Sequence, residues 1–161
     1  MANREEITAA IQQGIANVES TFGALSDAQL ATQVHAEEAG WDARDILAHL
    51  AGRREVYAMM RQAATGANPF AGISSFHDFN RERVAERDGL GRDELLTEFR
   101  AVHEDLLAQL DTIPDDQLAA EVALGPRRAT LGDLLLGSGG THSSGHAKDV
   151  AQAVGLRGTA G

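Results

Sequence analysis

The chain has 161 residues and no cysteine, and its 24 acidic residues against 14 basic ones give a formal net charge of −10. This excludes disulfides, thiolate nucleophiles and thiolate metal sites, and it works against phosphate backbones and anionic membrane surfaces as partners. The length suits one domain with a sizeable core. No stretch approaches the roughly 20 apolar residues that cross a bilayer, and Met1 to Ser20 carries no apolar signal core, so a cytoplasmic protein is expected.

Ile7, Ile11, Ile15 and Val18 recur at helical spacing and predict an amphipathic helix over Asn3 to Val18, ended by Gly23. Ser26 or Asp27 is placed to cap a short turn through Leu30, and the stretch from Val34 to Gly40 reads as polar and irregular. Trp41 then precedes Asp42, a good N-cap, and Asp45 lies three residues on in capping-box position. They open a second helix from Ala43 to about Ala64, in which Ile46, His49, Arg53, Val56 and Met60 share one face, flanked by Leu47, Leu50 and Tyr57.

Gly66-Ala67-Asn68-Pro69 ends that helix. A long connector follows to Gly91, anchored by Phe70, Ile73, Phe76 and Phe79, with a short helix expected over Asp78 to Arg87. A packed connector is the plainer reading and a lid over a pocket the alternative. A third helix runs from Arg92 to Leu110 on a stripe of Leu95, Phe99, Val102, Leu106 and Leu110, and Pro114 stops it. Val122 to Arg128 is expected to be extended about a turn at Gly125-Pro126. Thr130 and Asp133 then form a capping-box pair, and Leu131, Leu134, Leu135, Ser138, His142, His146, Val150 and Val154 track one face of the last helix.

Four amphipathic helices and no convincing sheet predict an all-α four-helix bundle with a long connector between helices two and three. It is expected to form a single domain over 1–155, followed by a tail at 156–161. The last helix has one oddity. Gly132, Gly137, Gly139, Gly140 and Gly145 together cost it about 4 kcal/mol of helix propensity. Either the missing side chains admit a close helix contact or a ligand, or the helix breaks and restarts at Thr141. The stripe keeps its phase across the glycines, which favours a continuous helix.

His142 and His146 lie four apart, hence one turn apart on one helix face. Such a pair can reach one ion at about 2.0–2.1 Å from each ring, but it needs a third ligand from another helix. His49 is the candidate, a lone histidine on the inward stripe of helix two; His103, bordering the apolar face of helix three, is the rival. His35 and His77 fall in irregular segments and are expected on the surface. Each inward histidine has a plainer reading as a core residue bonded to a carbonyl. Three that converge would instead leave an open metal position for water or substrate, with nitrogen-only ligation suiting Zn, Ni, Cu or Fe, and Zn or Ni foremost. Asp149 and Glu104 are candidates to orient the rings or carry protons. Arg53 and Arg54 lie one turn past His49 and are placed to hold an anionic group over the metal, with Arg53 the candidate cofactor-binding residue.

The run Trp41-Asp42-Ala43-Arg44-Asp45-Ile46-Leu47-Ala48-His49-Leu50-Ala51 resembles the W-x-x-x-D-[IVL]-[LV]-x-H-[LI] segment of the DinB/YfiT-like superfamily. Thr130-Leu131-Gly132-Asp133-Leu134-Leu135, followed by His142 and His146, is similar to that family's final helix. The resemblance spans about Ile7 to Val154 and implies a four-helix bundle with a three-histidine divalent metal site on His49, His142 and His146, which would be the catalytic centre. It implies either a metal-dependent enzyme activating a low-molecular-weight thiol such as mycothiol, or water, against an electrophilic small molecule, or a self-resistance protein of the ClbS/DfsB branch that sequesters or hydrolyses a toxic natural product. Phe79-Asn80 through Phe99-Arg100, with Leu106-Leu107, resembles that second branch. Between the final histidines the family often carries bulkier or acidic residues; here Ser143-Ser144-Gly145 suggests a wider pocket. The expected partners are a small-molecule substrate and a second copy in a homodimer, with no nucleic acid and no membrane.

Overall fold

The computed structural model describes residues 1–34 and 40–156. Helix α1 (Arg4–Gly23) starts at a reciprocal capping box: Glu6 N–H donates to Asn3 Oδ1 and Asn3 N–H to Glu6 Oε2, both at 2.9 Å. Its stripe extends the expected one by a turn, to Phe22, and is buried throughout. A single turn, α2 (Asp27–Leu30), is capped by Ser26 rather than Asp27.

The expected second helix is two helices. Asp42 and Asp45 form the anticipated capping box at the start of α3 (Ala43–Ala51), but the chain breaks at Gly52 and restarts as α4 (Arg54–Ala63). The cause lies across the bundle. A Cβ on Gly52 would sit 3.1 Å from Arg87 Nη1 and 3.2 Å from Arg83 Cβ, because α5 (Phe76–Ala85) and the turn after it lie directly on this point. The connector is thus packed, as expected, after a 3-10 turn over Pro69–Gly72. Arg44 holds the C-terminal end of α5 in place, donating to the carbonyls of Arg87, Asp88 and Leu90.

Helix α6 (Arg92–Leu110) carries the expected stripe. After a turn, α7 (Asp115–Leu118), the chain forms an antiparallel hairpin of β1 (Glu121–Leu124) and β2 (Arg127–Thr130), with Gly125 at φ +62° in the turn. Only an extended segment was legible in the sequence, and its partner strand is the finding. Thr130 then caps α8 (Leu131–Leu135) through Asp133 N–H at 3.1 Å.

The final helix is continuous, as favoured, but it changes winding. Leu136–Thr141 is π-helical and leads without a break into α9 (His142–Ala153), and the residues at the junctions keep right-handed helical dihedrals. The glycines there serve a close helix contact. A Cβ on Gly140 would meet the backbone carbon of Ala10 at 2.5 Å, and one on Gly139 would meet Leu106 Cδ2 at 2.9 Å. On the other side of this crossing, a Cβ on Gly14 would lie 3.1 Å from the carbonyl oxygen of Gly140. Backbone approaches backbone here because neither helix carries a side chain in between.

The bundle is therefore α1, the α3–α4 pair, α6 and the α8–π–α9 run around one core of Ile, Leu, Val and Phe side chains. Helix α1 packs along the π-segment, α9 and α6, and α3 packs against α6. Among the described residues, no helix is long and apolar enough to cross a membrane.

The glycine crossing generates a paired expectation. Gly140→Ala should lower the unfolding free energy by about 3 kcal/mol, because the methyl would overlap the Ala10 backbone and its Cβ. Gly145→Ala meets nothing within 4 Å and should raise it by about 0.5–1 kcal/mol. Urea unfolding of both variants checks this, and equal effects would contradict the crossing.

Candidate metal centre

Helix α3 aims its His49 ring inward two turns after the Asp42 cap, and α9 presents His142 and His146 one turn apart. The three rings meet. His142 Nε2 lies 3.3 Å from His49 Nε2 and 3.1 Å from His146 Nε2. One ligand nitrogen from each ring falls within 4.8 Å of the others. The rings stand nearly perpendicular, at 76° to 87° between planes, so their nitrogen edges point at a common centre.

That geometry fits a cation. Two nitrogens each about 2.05 Å from one ion at a tetrahedral angle are about 3.3 Å apart. The protonation states agree with it. Burial first, then the nearby Arg53 charge and the other rings, hold His49 well below the ordinary imidazole value of 6.5. The same causes take His142 down to about 2. Neutral rings offer lone pairs, the form a metal requires. His49 and His146 are buried, and His142 is half-buried.

Trp41 packs on His49 in a tilted contact, ring centroids 5.1 Å apart and planes at 42°, which restricts that imidazole. The sequence suggested only a residue that sets the start of the helix. The contact could not be read from helical spacing, because Trp41 precedes the Asp42 cap and lies outside the helix.

His103 does not join the cluster, which corrects its standing as rival ligand. It is fully buried, donating from Nδ1 to the Phe99 carbonyl at 2.8 Å and accepting at Nε2 from the Tyr57 hydroxyl at 2.9 Å. Burial takes its pKa down to about 4. It is the satisfied core histidine of the plainer reading. The Tyr57 hydroxyl also lies 3.1 Å from the Ser138 carbonyl in the π-segment. Burial raises the Tyr57 pKa, so the phenol stays protonated.

Arg53 sits at the α3–α4 break, its guanidinium carbon 5.7 Å from the Tyr57 ring centroid and its Nη2 donating to the Ser138 hydroxyl. Arg54, in contrast, turns outward to Asp105 at 2.6 Å. Glu104 is exposed and pairs with Arg100, away from the rings, so it does not serve them. Asp149 is half-buried on α9, three residues past His146. His77 is exposed, as expected; His35 lies outside the described residues. Ser143 packs fully buried against Gly14, Ser144 accepts from Asn17 Nδ2 at 3.0 Å and Gly145 faces solvent.

A family model described as the mycothiol maleylpyruvate isomerase N-terminal domain matches residues 11–136, a span that includes His49 and ends before His142 and His146. No curated protein matches the chain. Among solved structures, the mycothiol-dependent maleylpyruvate isomerase is similar at 21% identity and TM-score 0.67, over 92% of this chain and 60% of that one. YfiT from Bacillus subtilis, described as a candidate metal-dependent hydrolase with an unusual four-helix bundle topology, aligns at 17% identity and TM-score 0.69 over 96% and 89%. The colibactin self-resistance protein ClbS, solved in complex with a dsDNA, aligns at 13% and TM-score 0.76 over 98% and 99%. At these identities the likeness is one of fold. The chain spans 60% of the isomerase's length.

Two measurements bear on the centre. Metal-free protein should bind one Co²⁺ or Zn²⁺ per chain, with Co²⁺ quenching the emission of the single tryptophan packed on His49, and His49→Ala should bind none. The proton linkage is the second. The unfolded chain holds more protons than the folded one below the ordinary pKa of 6.5, because the folded values of His103 and His142 are depressed. Stability of the metal-free protein should therefore fall as pH drops from 6.5 towards 4, by up to about 1.4 kcal/mol per pH unit for each such histidine. His103→Gln removes one of these groups and should shallow the slope in urea melts; an unchanged slope would contradict the assignment.

Proposed function

Because the chain belongs to the mycothiol maleylpyruvate isomerase N-terminal domain family, we propose that it is a metal-dependent enzyme whose centre is built by His49, His142 and His146. One observation carries the reading: three Nε2 atoms from two helices distant in sequence face a single point, two of the separations being 3.1 and 3.3 Å. A divalent ion held there, Zn or Ni first, supplies Lewis acidity that favours the deprotonated form of a coordinated thiol or water. The reaction proposed is attack by a low-molecular-weight thiol of the mycothiol type, or by water, on an electrophilic small molecule.

The chain's own residues account for the conditions this needs. Burial keeps His49 and His142 neutral, so no proton competes for the ligand nitrogens near pH 7. The Trp41 contact and the Asp42 cap hold the His49 ring in place. His142 is the most exposed of the three rings, and a small molecule is proposed to approach from its side. A nucleic-acid partner is not proposed, since a net charge of −10 opposes a phosphate backbone.

A second reading is favoured by one observation, the alignment with ClbS over nearly the whole of both chains. On that reading the protein binds a toxic small molecule in self-resistance. The two readings separate cleanly. Metal-loaded protein should accelerate conjugation of a thiol to a test electrophile such as chlorodinitrobenzene, or hydrolysis of an activated ester. His142→Ala should bring the rate to the uncatalysed level with its helical circular dichroism unchanged. Saturable ligand binding that raises Tm in the His49→Ala/His142→Ala/His146→Ala variant, with no product formed by wild type, would favour sequestration instead.

A further inference from the structure

Arg53 carries a charge that the protein leaves unanswered. The other half-buried arginines among the described residues face oxygen acceptors that suit a cation. Arg4 pairs with Asp115, Arg83 with Glu55, Arg87 with Glu98 and Arg92 with Asp93, while Arg44 meets three carbonyls and Arg61 the Gln109 side-chain oxygen. Arg53 meets no carboxylate: its partners are the Ser138 hydroxyl and the Tyr57 side chain, and its Nε is buried without a hydrogen-bond partner. This occurs in a chain with 24 carboxylate side chains, so the lack of an acidic neighbour is not for want of supply. A guanidinium nitrogen buried and unpaired is costly unless something else satisfies it.

The position of that charge says what it serves. Arg53 lies one turn after His49 at the α3–α4 break, and the Ser138 that it meets lies about one turn before His142 on the last helix. It therefore borders the three-histidine centre. The Ser138 hydroxyl accepts from Arg53 Nη2, which leaves its own O–H free to donate in turn. The Tyr57 ring lies under the guanidinium and restricts its plane.

We propose that Arg53 and the Ser138 hydroxyl form an oxyanion-binding subsite that holds a carboxylate of the small-molecule substrate beside the histidine centre. This rests on the enzymatic reading above. A single guanidinium balances one negative charge, and its planar fork matches a carboxylate in two parallel bonds. A phosphate near two negative charges would find only half of its charge answered. The subsite thereby orients the substrate by one end while its electrophilic carbon faces the three rings.

The test is binding, read on chelator-treated full-length protein through the single indole N–H signal of Trp41, against the metal stoichiometry of the same samples. Benzoate should shift that signal saturably. Benzamide, of the same shape without the charge, should not. Arg53→Gln should weaken benzoate by about tenfold or more, and Arg53→Lys, which keeps a point charge but loses the fork, by less. Equal binding of benzoate by wild type and Arg53→Gln, equal binding of benzamide and benzoate, or tighter binding of inorganic phosphate than of benzoate would each overturn the assignment. One metal per chain without Arg53-dependent benzoate binding sinks the subsite and leaves the metal centre standing. Arg53-dependent benzoate binding without metal uptake does the reverse.

Discussion

The centre depends on a crossing too close for a methyl group. Helix α1 lies on the π-helical segment with Ala10 against Gly140 and Gly14 against the Gly140 carbonyl, and a side-chain carbon at residue 140 would stand 2.5 Å from backbone. This contact costs the last helix several glycines' worth of propensity, which an isolated helix could not tolerate. Burial of the Ile7, Ile11 and Leu106 side chains around it offsets that cost. The π-turn adds a residue to the helical path just before His142. The contact with α1 and the direction of the His142 and His146 rings are consequently one problem, solved by the same six residues.

The electrostatic arrangement separates two populations of charge. On the surface, arginines and carboxylates pair in exposed contacts such as Arg54–Asp105 and Arg100–Glu104, which contribute little each. Inside, four histidines lie in one half of the bundle, and the protein treats them differently. His103 is given a carbonyl and a phenol and has no capacity left. His49, His142 and His146 are given one another, an arrangement of acceptor nitrogens that a cation would complete. Arg53 stands over Tyr57 and is bonded to Ser138, where its charge helps to keep His49, His103 and His142 neutral.

The bundle is shared with proteins whose names record an isomerase, a candidate hydrolase and a self-resistance protein. A scaffold that hosts such different chemistry leaves function to the side chains at its centre. In this chain those are three imidazoles and, beside them, an arginine that meets no carboxylate.

Much of this was written along the chain. Asp42 with Asp45 and Thr130 with Asp133 mark helix starts; the first pair forms a reciprocal box, while in the second only Thr130 caps and the Asp133 carboxylate accepts from the Ala2 N–H instead. The stripes of α1 and α6 locate the core, because an apolar side chain repeating every three or four residues has only one face to bury. His49, His142 and His146 were legible as inward-facing for the same reason. What the sequence could not decide were the matters set by a second segment at the same point in space. The break at Gly52 exists because α5 and its following turn lie upon it, and the hairpin because β2 lies opposite β1. His103 and His49 look alike as lone histidines on apolar faces. Only the folded chain distinguishes them, by placing the Phe99 carbonyl and the Tyr57 hydroxyl against one and two more imidazoles against the other. Local pattern determines which way a residue faces; what it meets there is a property of tertiary packing.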